Sequence, residues 1–178
     1  MRMDERLIHL SKTLAYVLRH RPDAVGLELD SAGWVDIRVL IGSMTDAGHV
    51  IDEADLDRIV TGSDKKRYEV QAGRMRAAQG HSIDVDLGLD PKVPPAVLYH
   101  GTVDRFLEAI RADGLRAGAR THVHLSADVS TARQVGKRRG VPVVLEIDAK
   151  RMHADGHVFL LASNGVWLVD HVSPGYIF

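Results

Sequence analysis

Arg67-Tyr68-Glu69-Val70, followed after Gln71 and Ala72 by Gly73-Arg74-Met75-Arg76-Ala77, reads as two short strands meeting at a turn. Three helical patterns lie upstream of this hairpin. Leu7, Leu10, Leu14, Val17 and Leu18 recur at helical spacing between Glu5 and Arg19, and Pro22 stops the pattern. Leu27 and Leu29 alternate before a turn at Ser31-Ala32-Gly33. Trp34-Val35 then runs into Asp36, an N-cap for a helix carrying Ile37, Leu40 and Met44. Asp52 caps a further helix through Leu56, Ile59 and Val60, and Gly62-Ser63-Asp64 separates it from the hairpin.

Three helices closed by a small hairpin is the element order of a winged-helix module, assigned to residues 1–87. From Ile83 to Pro95 aspartates alternate and Gly88, Pro91, Pro94 and Pro95 follow. This is linker chemistry, because proline fixes the backbone without donating a hydrogen bond, and residues 88–95 are read as the linker. A second domain occupies residues 96–178. It opens on a strand from Ala96 to His100. Thr102 is expected to cap a helix containing Phe106, Leu107 and Ile110, which Gly114 ends. Strands are expected at His122–Ser126, Val141–Ile147, His157–Leu161 and Val166–Val169, with short helices near Asp128–Arg138 and Ala149–His153. Strands without long intervening helices favour an α+β or sandwich-like domain over a doubly wound sheet.

The chain has 178 residues, 45% of them hydrophobic, which is enough for two small cores. No apolar run approaches the roughly 18 residues that span a bilayer, and Met1–Arg6 leads into an amphipathic pattern instead of a signal-peptide core. A soluble, cytoplasmic protein is expected. The absence of cysteine excludes disulfides, thiolate metal sites and cysteine nucleophiles. With 23 basic and 24 acidic residues there is no global basic bias, so nucleic-acid binding would need a local patch. Lys65, Lys66, Arg67 and Arg74, with Arg76, face only Asp64 and Glu69 nearby, and Arg139 extends the candidate RNA-binding set.

Chemistry concentrates in a few polar runs. Arg76-Ala77-Ala78-Gln79-Gly80-His81-Ser82 offers a cation, an amide, an imidazole and a hydroxyl around a flexible glycine, a combination that packing alone would not require. Tyr99-His100-Gly101-Thr102 sets a histidine and a glycine at a strand end, where a missing side chain admits a ligand to the backbone. His122-Val123-His124-Leu125-Ser126 places two imidazoles on one strand face. A metal is not expected there, since no His-Glu-x-x-His helix or carboxylate cluster accompanies them. Arg19-His20 ends the first helix, joining a permanent cation to a group that titrates near neutrality. Arg133, Lys137, Arg138 and Arg139 crowd another helix end without an acid, as a phosphate cradle would.

Taken in order, Ser11-Lys12-x-Leu14, Leu18-Arg19-His20, Gly33-Trp34-Val35, Arg76–Ser82, Leu98–Thr102, His122–Ser126 and Asn164-Gly165-Val166-Trp167-Leu168 resemble the RNA 2′-phosphotransferase family over nearly the whole chain. The resemblance implies an N-terminal winged helix joined to an ADP-ribosyltransferase-like domain with a split antiparallel sheet. It implies NAD as a consumed co-substrate and 2′-phosphorylated RNA as partner; a monomer is expected. The implied reaction has two steps. The RNA 2′-phosphate attacks the nicotinamide ribose of NAD, and the neighbouring ribose hydroxyl then attacks that phosphorus. The products are 2′-hydroxyl RNA, ADP-ribose 1″,2″-cyclic phosphate and nicotinamide. The family's catalytic tetrad falls on Arg19, His20, Arg76 and Arg138, with Arg139 adjacent to the last. The resemblance places NAD against His100, Gly101, Thr102, His124 and Ser126, with Gln79 and His81 beside them. Two other readings share parts of this sequence: an ADP-ribosyltransferase that caps nucleic-acid phosphates and omits the second step, and a non-enzymatic winged-helix regulator.

Overall fold

Among the described residues, aspartates start five of the six α-helices. Asp4 accepts a hydrogen bond from Leu7 N at 2.7 Å, opening α1 (Glu5–Arg19). Asp36 accepts from Arg38 N and Val39 N at the head of α2 (Ile37–Asp46), and Asp52 accepts from Asp55 N at the head of α3 (Glu53–Thr61). Each satisfies backbone donors that the first helical turn leaves without partners. The computed structural model describes residues 4–62 and 66–178, and the chain divides into two compact units, Met1–Gly88 and Leu89–Phe178.

In the first unit the three helices share a core with strands β1 (Val35–Asp36), β2 (Tyr68–Gln71) and β3 (Arg74–Ala77). The antiparallel sheet has the order β1-β3-β2, with Val35 opposite Met75 and Val70 also opposite Met75. Leu14, Leu18, Leu40, Met44, Ile59 and Met75 are fully buried, as their spacing on the helices and the inward face of β3 requires. The hairpin turns at Ala72 and Gly73, both with positive φ (49° and 74°), the backbone a two-residue turn needs to match strand twist. The Tyr68 hydroxyl donates to Ser11 O at 3.1 Å, and Arg6 grips the buried Asp55 carboxylate at 2.6 Å, pinning α1 to the hairpin and to α3.

The second unit is built on β4 (Val97–Val103), paired antiparallel with β7 (Pro142–Asp148) along its whole length. After β4 come α4 (Leu107–Asp113), β5 (Leu115–Arg116) and β6 (Val123–Leu125), and α5 (Val129–Gly136) lies against both β4 and β7. Asp128 and Asp148 cap α5 and α6 (Ala149–Ala154). A second small sheet runs β6-β9-β8, where β8 is Leu160–Leu161 and β9 is Trp167–Val169, and β10 (His171–Val172) pairs with β5. Tyr99 and Ser126 exchange backbone hydrogen bonds of 2.9 and 2.8 Å, joining β4 to the β6 side. Leu98, Leu125, Ile147, Met152, Phe159 and Val172 fill this core.

Helices with small antiparallel sheets make the chain α+β, as the sequence indicates. Two local expectations are corrected. Thr102 caps nothing: β4 continues through it to Val103, because Thr102 pairs with Val143 and is buried, and a single 3-10 turn at Asp104–Phe106 precedes α4. The strand expected from His157 begins at Leu160. Of the proline-rich stretch, Asp86 N donates to Ser31 O in the first unit, and Lys92 N donates to Phe159 O in the second. Among the described residues no helix is long and apolar enough to cross a membrane.

Candidate active site

In the first unit, the end of α1 and the segment leaving β3 are stitched together. Arg19 is the last residue of α1 and His20 is its C-cap, where the helix dipole favours positive charge. Ser82 N donates to Arg19 O at 2.9 Å, and the Ser82 hydroxyl and His20 Nδ1 are 2.8 Å apart. The carbonyl of Arg67 accepts from Ala78 N at 2.9 Å and from Arg19 Nη2 at 3.5 Å. These bonds bring Arg19, His20 and the Arg76–Ser82 run into one neighbourhood.

Arg76 is held by four partners. Its Nε donates to Glu69 at 2.7 Å, its Nη1 donates to Ala32 O and Leu87 O at 3.1 and 3.2 Å, and its guanidinium lies 4.6 Å from the centre of the Trp34 ring. Three of its five N–H donors thus serve the fold, and the Nη2 pair makes no hydrogen bond among the described residues. The side chain is 12% exposed, so this cation is fixed in place before any ligand arrives.

The run is far more packed than its composition suggests. Ala77, Ala78, Gly80 and His81 are all buried, the alanines because β3 and its extension face the core, and Gly80 adopts φ 91°, which turns the chain toward the α1 end. His81 is 2% exposed. Burial first, then the positive fields of Arg19 and Arg76 with His20, push its pKa down to about 4. It is therefore a neutral imidazole among cations. His81 Nε2 and Gln79 Oε1 are buried without a hydrogen-bond partner among the described residues.

In the second unit, His100 on β4 donates from Nδ1 to the carbonyl of His124 on β6 at 3.1 Å. A carbonyl only accepts, so His100 carries its proton on Nδ1 and its Nε2 is an acceptor. Burial lowers the His100 pKa, the His124 carbonyl opposes that shift, and Arg139 adds to it. Arg120 lies 2.9 Å from His124 Nδ1, and its own pKa is lowered by burial and by the fields of Arg139 and Arg138. Arg138 and Arg139 sit in the 3-10 turn that follows α5, and Arg139 lies over the Phe106 ring. No carboxylate among the described residues pairs with Arg120, Arg138 or Arg139. His122 points elsewhere, to Thr121 and Asp170.

Residues 5–171 match the family described as RNA 2′-phosphotransferase, Tpt1 / KptA family. The chain belongs to that family. Its similarity to individual members runs almost end to end. It is 51% identical over 173 residues to a probable RNA 2′-phosphotransferase of Streptomyces coelicolor, covering 97% of this chain and 95% of the relative. It is 54% identical over 169 residues to the one of Agrobacterium fabrum (94% and 91%), and 53% identical over 170 residues to one of Pseudomonas aeruginosa (94% and 93%).

In this RNA 2′-phosphotransferase family member, the sequence-derived residues fall into two groups. Arg19, His20, Arg76, Gln79 and His81 belong to the first unit, and His100, Gly101, Thr102, His124, Ser126, Arg138 and Arg139 to the second. Gly101 has a packing role that its sequence context did not reveal. A Cβ there would overlap the Ala132 carbonyl of α5, so the open side of this glycine is filled by a helix. Of the basic RNA-binding candidates, Lys66 is exposed, Arg67 is half-buried, Arg74 is paired with Asp30 at 2.6 Å, and Lys65 lies outside the described residues. Arg120 escaped sequence reading. Its only local signal was a lone arginine four positions before His124, with no nearby acid to neutralise it.

Proposed function

We propose that this protein removes an internal 2′-phosphate from RNA by transferring it to NAD in two steps, leaving a 2′-hydroxyl on the RNA and yielding ADP-ribose 1″,2″-cyclic phosphate and nicotinamide. The observation that carries this reading is the pair of guanidinium groups of Arg19 and Arg76, with His20 beside them, around a neutral, buried His81, in a chain whose relatives are probable RNA 2′-phosphotransferases. The order α1-β1-α2-α3-β2-β3 with sheet order β1-β3-β2 supports reading the first unit as a winged helix. The paired small sheets of the second unit support an ADP-ribosyltransferase-like fold there.

The residues present suit both substrates. NAD supplies the electrophilic ribose carbon and, in nicotinamide, a leaving group. In the second unit, His100 offers a ring acceptor suited to a hydroxyl, and Arg138 with Arg139 offers charge, unneutralised by any carboxylate among the described residues, suited to phosphate oxygens. In the first unit, the Nη2 edge of Arg76 is a donor pair for the RNA 2′-phosphate. A guanidinium stays charged throughout and needs no proton transfer to stabilise a developing negative charge. Arg19 reinforces that field. His20, oriented through Nδ1 by Ser82, moves a proton during the second displacement. Thr102, Ser126, Gln79 and His81 contribute to NAD recognition.

The test is turnover of a short RNA bearing one internal 2′-phosphate, with both RNA and small products followed. Wild-type protein is expected to strip the phosphate only when NAD is added. Arg76→Ala and Arg138→Ala should each lower the rate by a factor of 100 or more, about 3 kcal/mol of transition-state stabilisation. Normal turnover by either variant would remove that arginine from the site.

A further inference from the structure

We infer that Tyr16 is a stacking platform for an unpaired RNA base next to the 2′-phosphate, on an RNA track that runs along α1 from Lys12 through Tyr16 to His20. The inference rests on the proposed action on 2′-phosphorylated RNA and assigns that substrate a base contact.

Lys12, Tyr16 and His20 stand four positions apart, so about one helical turn separates each from the next and all three emerge on one side of α1. The other side of the helix is accounted for by packing: Leu7, Leu10, Leu14, Val17 and Leu18 are buried. Tyr16 is not. Its side chain is 50% exposed, and its hydroxyl makes no hydrogen bond among the described residues, whereas the Tyr68 hydroxyl is buried and donates to Ser11 O. The one ring beside it among the described residues is His20, with centroids 6.0 Å apart and planes tilted by 50°. Lys12 is exposed and forms no ion pair among the described residues. Arg21, at the helix exit, is instead committed to Asp23 at 2.9 Å.

An open aromatic face with a cation one turn behind it and Arg19-His20 one turn ahead has the composition of a single-strand site. Every base has a π-face, so stacking tolerates any sequence, and the cation meets the adjoining backbone. A 2′-phosphate sits on the same sugar as its base, so RNA that offers its phosphate at His20 carries a base within reach of the ring one turn back. The third helix does not compete for the strand. Together with its cap, α3 exposes Asp52, Glu53 and Asp57 against Arg58, a balance that repels phosphate.

The experiment uses the full chain, without NAD, and a short single-stranded RNA with one internal 2′-phosphate. The fluorescent base 2-aminopurine replaces the base of the phosphorylated nucleotide, or of either neighbour, in turn. Wild-type protein is expected to quench the reporter at one of these positions. Tyr16→Ala should bind the RNA about tenfold more weakly and leave the reporter bright, while Tyr16→Trp keeps both affinity and quenching. Removing the base at the quenched position should weaken wild-type binding by the same factor and weaken Tyr16→Ala no further. Lys12→Gln should reduce the salt slope of binding by about 0.7, the share of one phosphate contact on a single strand. Quenching at none of the three positions, wild-type affinity in Tyr16→Ala, equal abasic penalties in the two proteins, or an unchanged slope in Lys12→Gln would each overturn the inference. A wild type that quenched the reporter yet left the 2′-phosphate in place once NAD was added would instead refute the proposed reaction and leave the stacking contact standing.

Discussion

At the scale of single residues, His81 is a polar side chain buried with its Nε2 unsatisfied among the described residues. Burial and nearby positive groups oppose its protonation. Leaving such an atom without a hydrogen bond costs on the order of 1–3 kcal/mol. That cost has a sign in pH. The folded pKa of about 4 lies below the unfolded value of 6.5, so between these values the unfolded chain binds a proton that the folded chain does not. The stabilisation is complete above 6.5 and is lost as pH falls toward 4. Urea unfolding across this window should therefore show wild-type stability dropping by roughly 1 kcal/mol per pH unit more than that of His81→Phe. At neutral pH, His81→Phe should be at least as stable as wild type while losing most of its activity. Parallel pH profiles for the two proteins would show that His81 is not the neutral, desolvated group described above.

Elements, rather than residues, decide the environment of β4. Its pairing with β7 along seven register positions fixes the backbone of His100, and α5 closes over it only because Gly101 leaves room for the Ala132 carbonyl. Gly101→Ala should push α5 outward and lower stability by about 1–3 kcal/mol, the usual cost of overpacking. Thermal unfolding monitored by circular dichroism measures it, and an unchanged melting temperature would show that α5 packs elsewhere. The same element explains what the sequence could and could not disclose. The helices were legible because their signals are local: apolar spacing for α1, and the caps Asp36 and Asp52 immediately before α2 and α3. Thr102 looked like another such cap and was not, because its fate is set by Val143, a partner far along the chain. The Arg76–Ser82 run was legible as functional chemistry but not as buried structure. Its packing depends on Trp34, Ala32 and Arg67, which no local pattern connects to it. Arg120 was invisible for the same reason, since its meaning lies in His124 and in the turn after α5.

For the molecule as a whole, a net charge of −1 means that RNA cannot be drawn in by a general positive field. Attraction has to come from local cations, and several of the basic residues are already committed: Arg74 to Asp30, Arg76 to Glu69, Arg6 to Asp55. Those without an acid among the described residues include Arg120, Arg138 and Arg139 in the second unit. This distribution suits the proposed recognition of one phosphate and one dinucleotide more than the coating of long stretches of nucleic acid. The proposed chemistry draws on Arg19, His20 and Arg76 of the first unit and on His100, Arg138 and Arg139 of the second. The central claim is tested most directly by following a radioactive phosphorus label placed at a single internal 2′-phosphate of RNA, with and without NAD. The account predicts that the label leaves the RNA only when NAD is present and appears in ADP-ribose 1″,2″-cyclic phosphate. Label that stayed on the RNA, or that was released as inorganic phosphate without NAD, would contradict it.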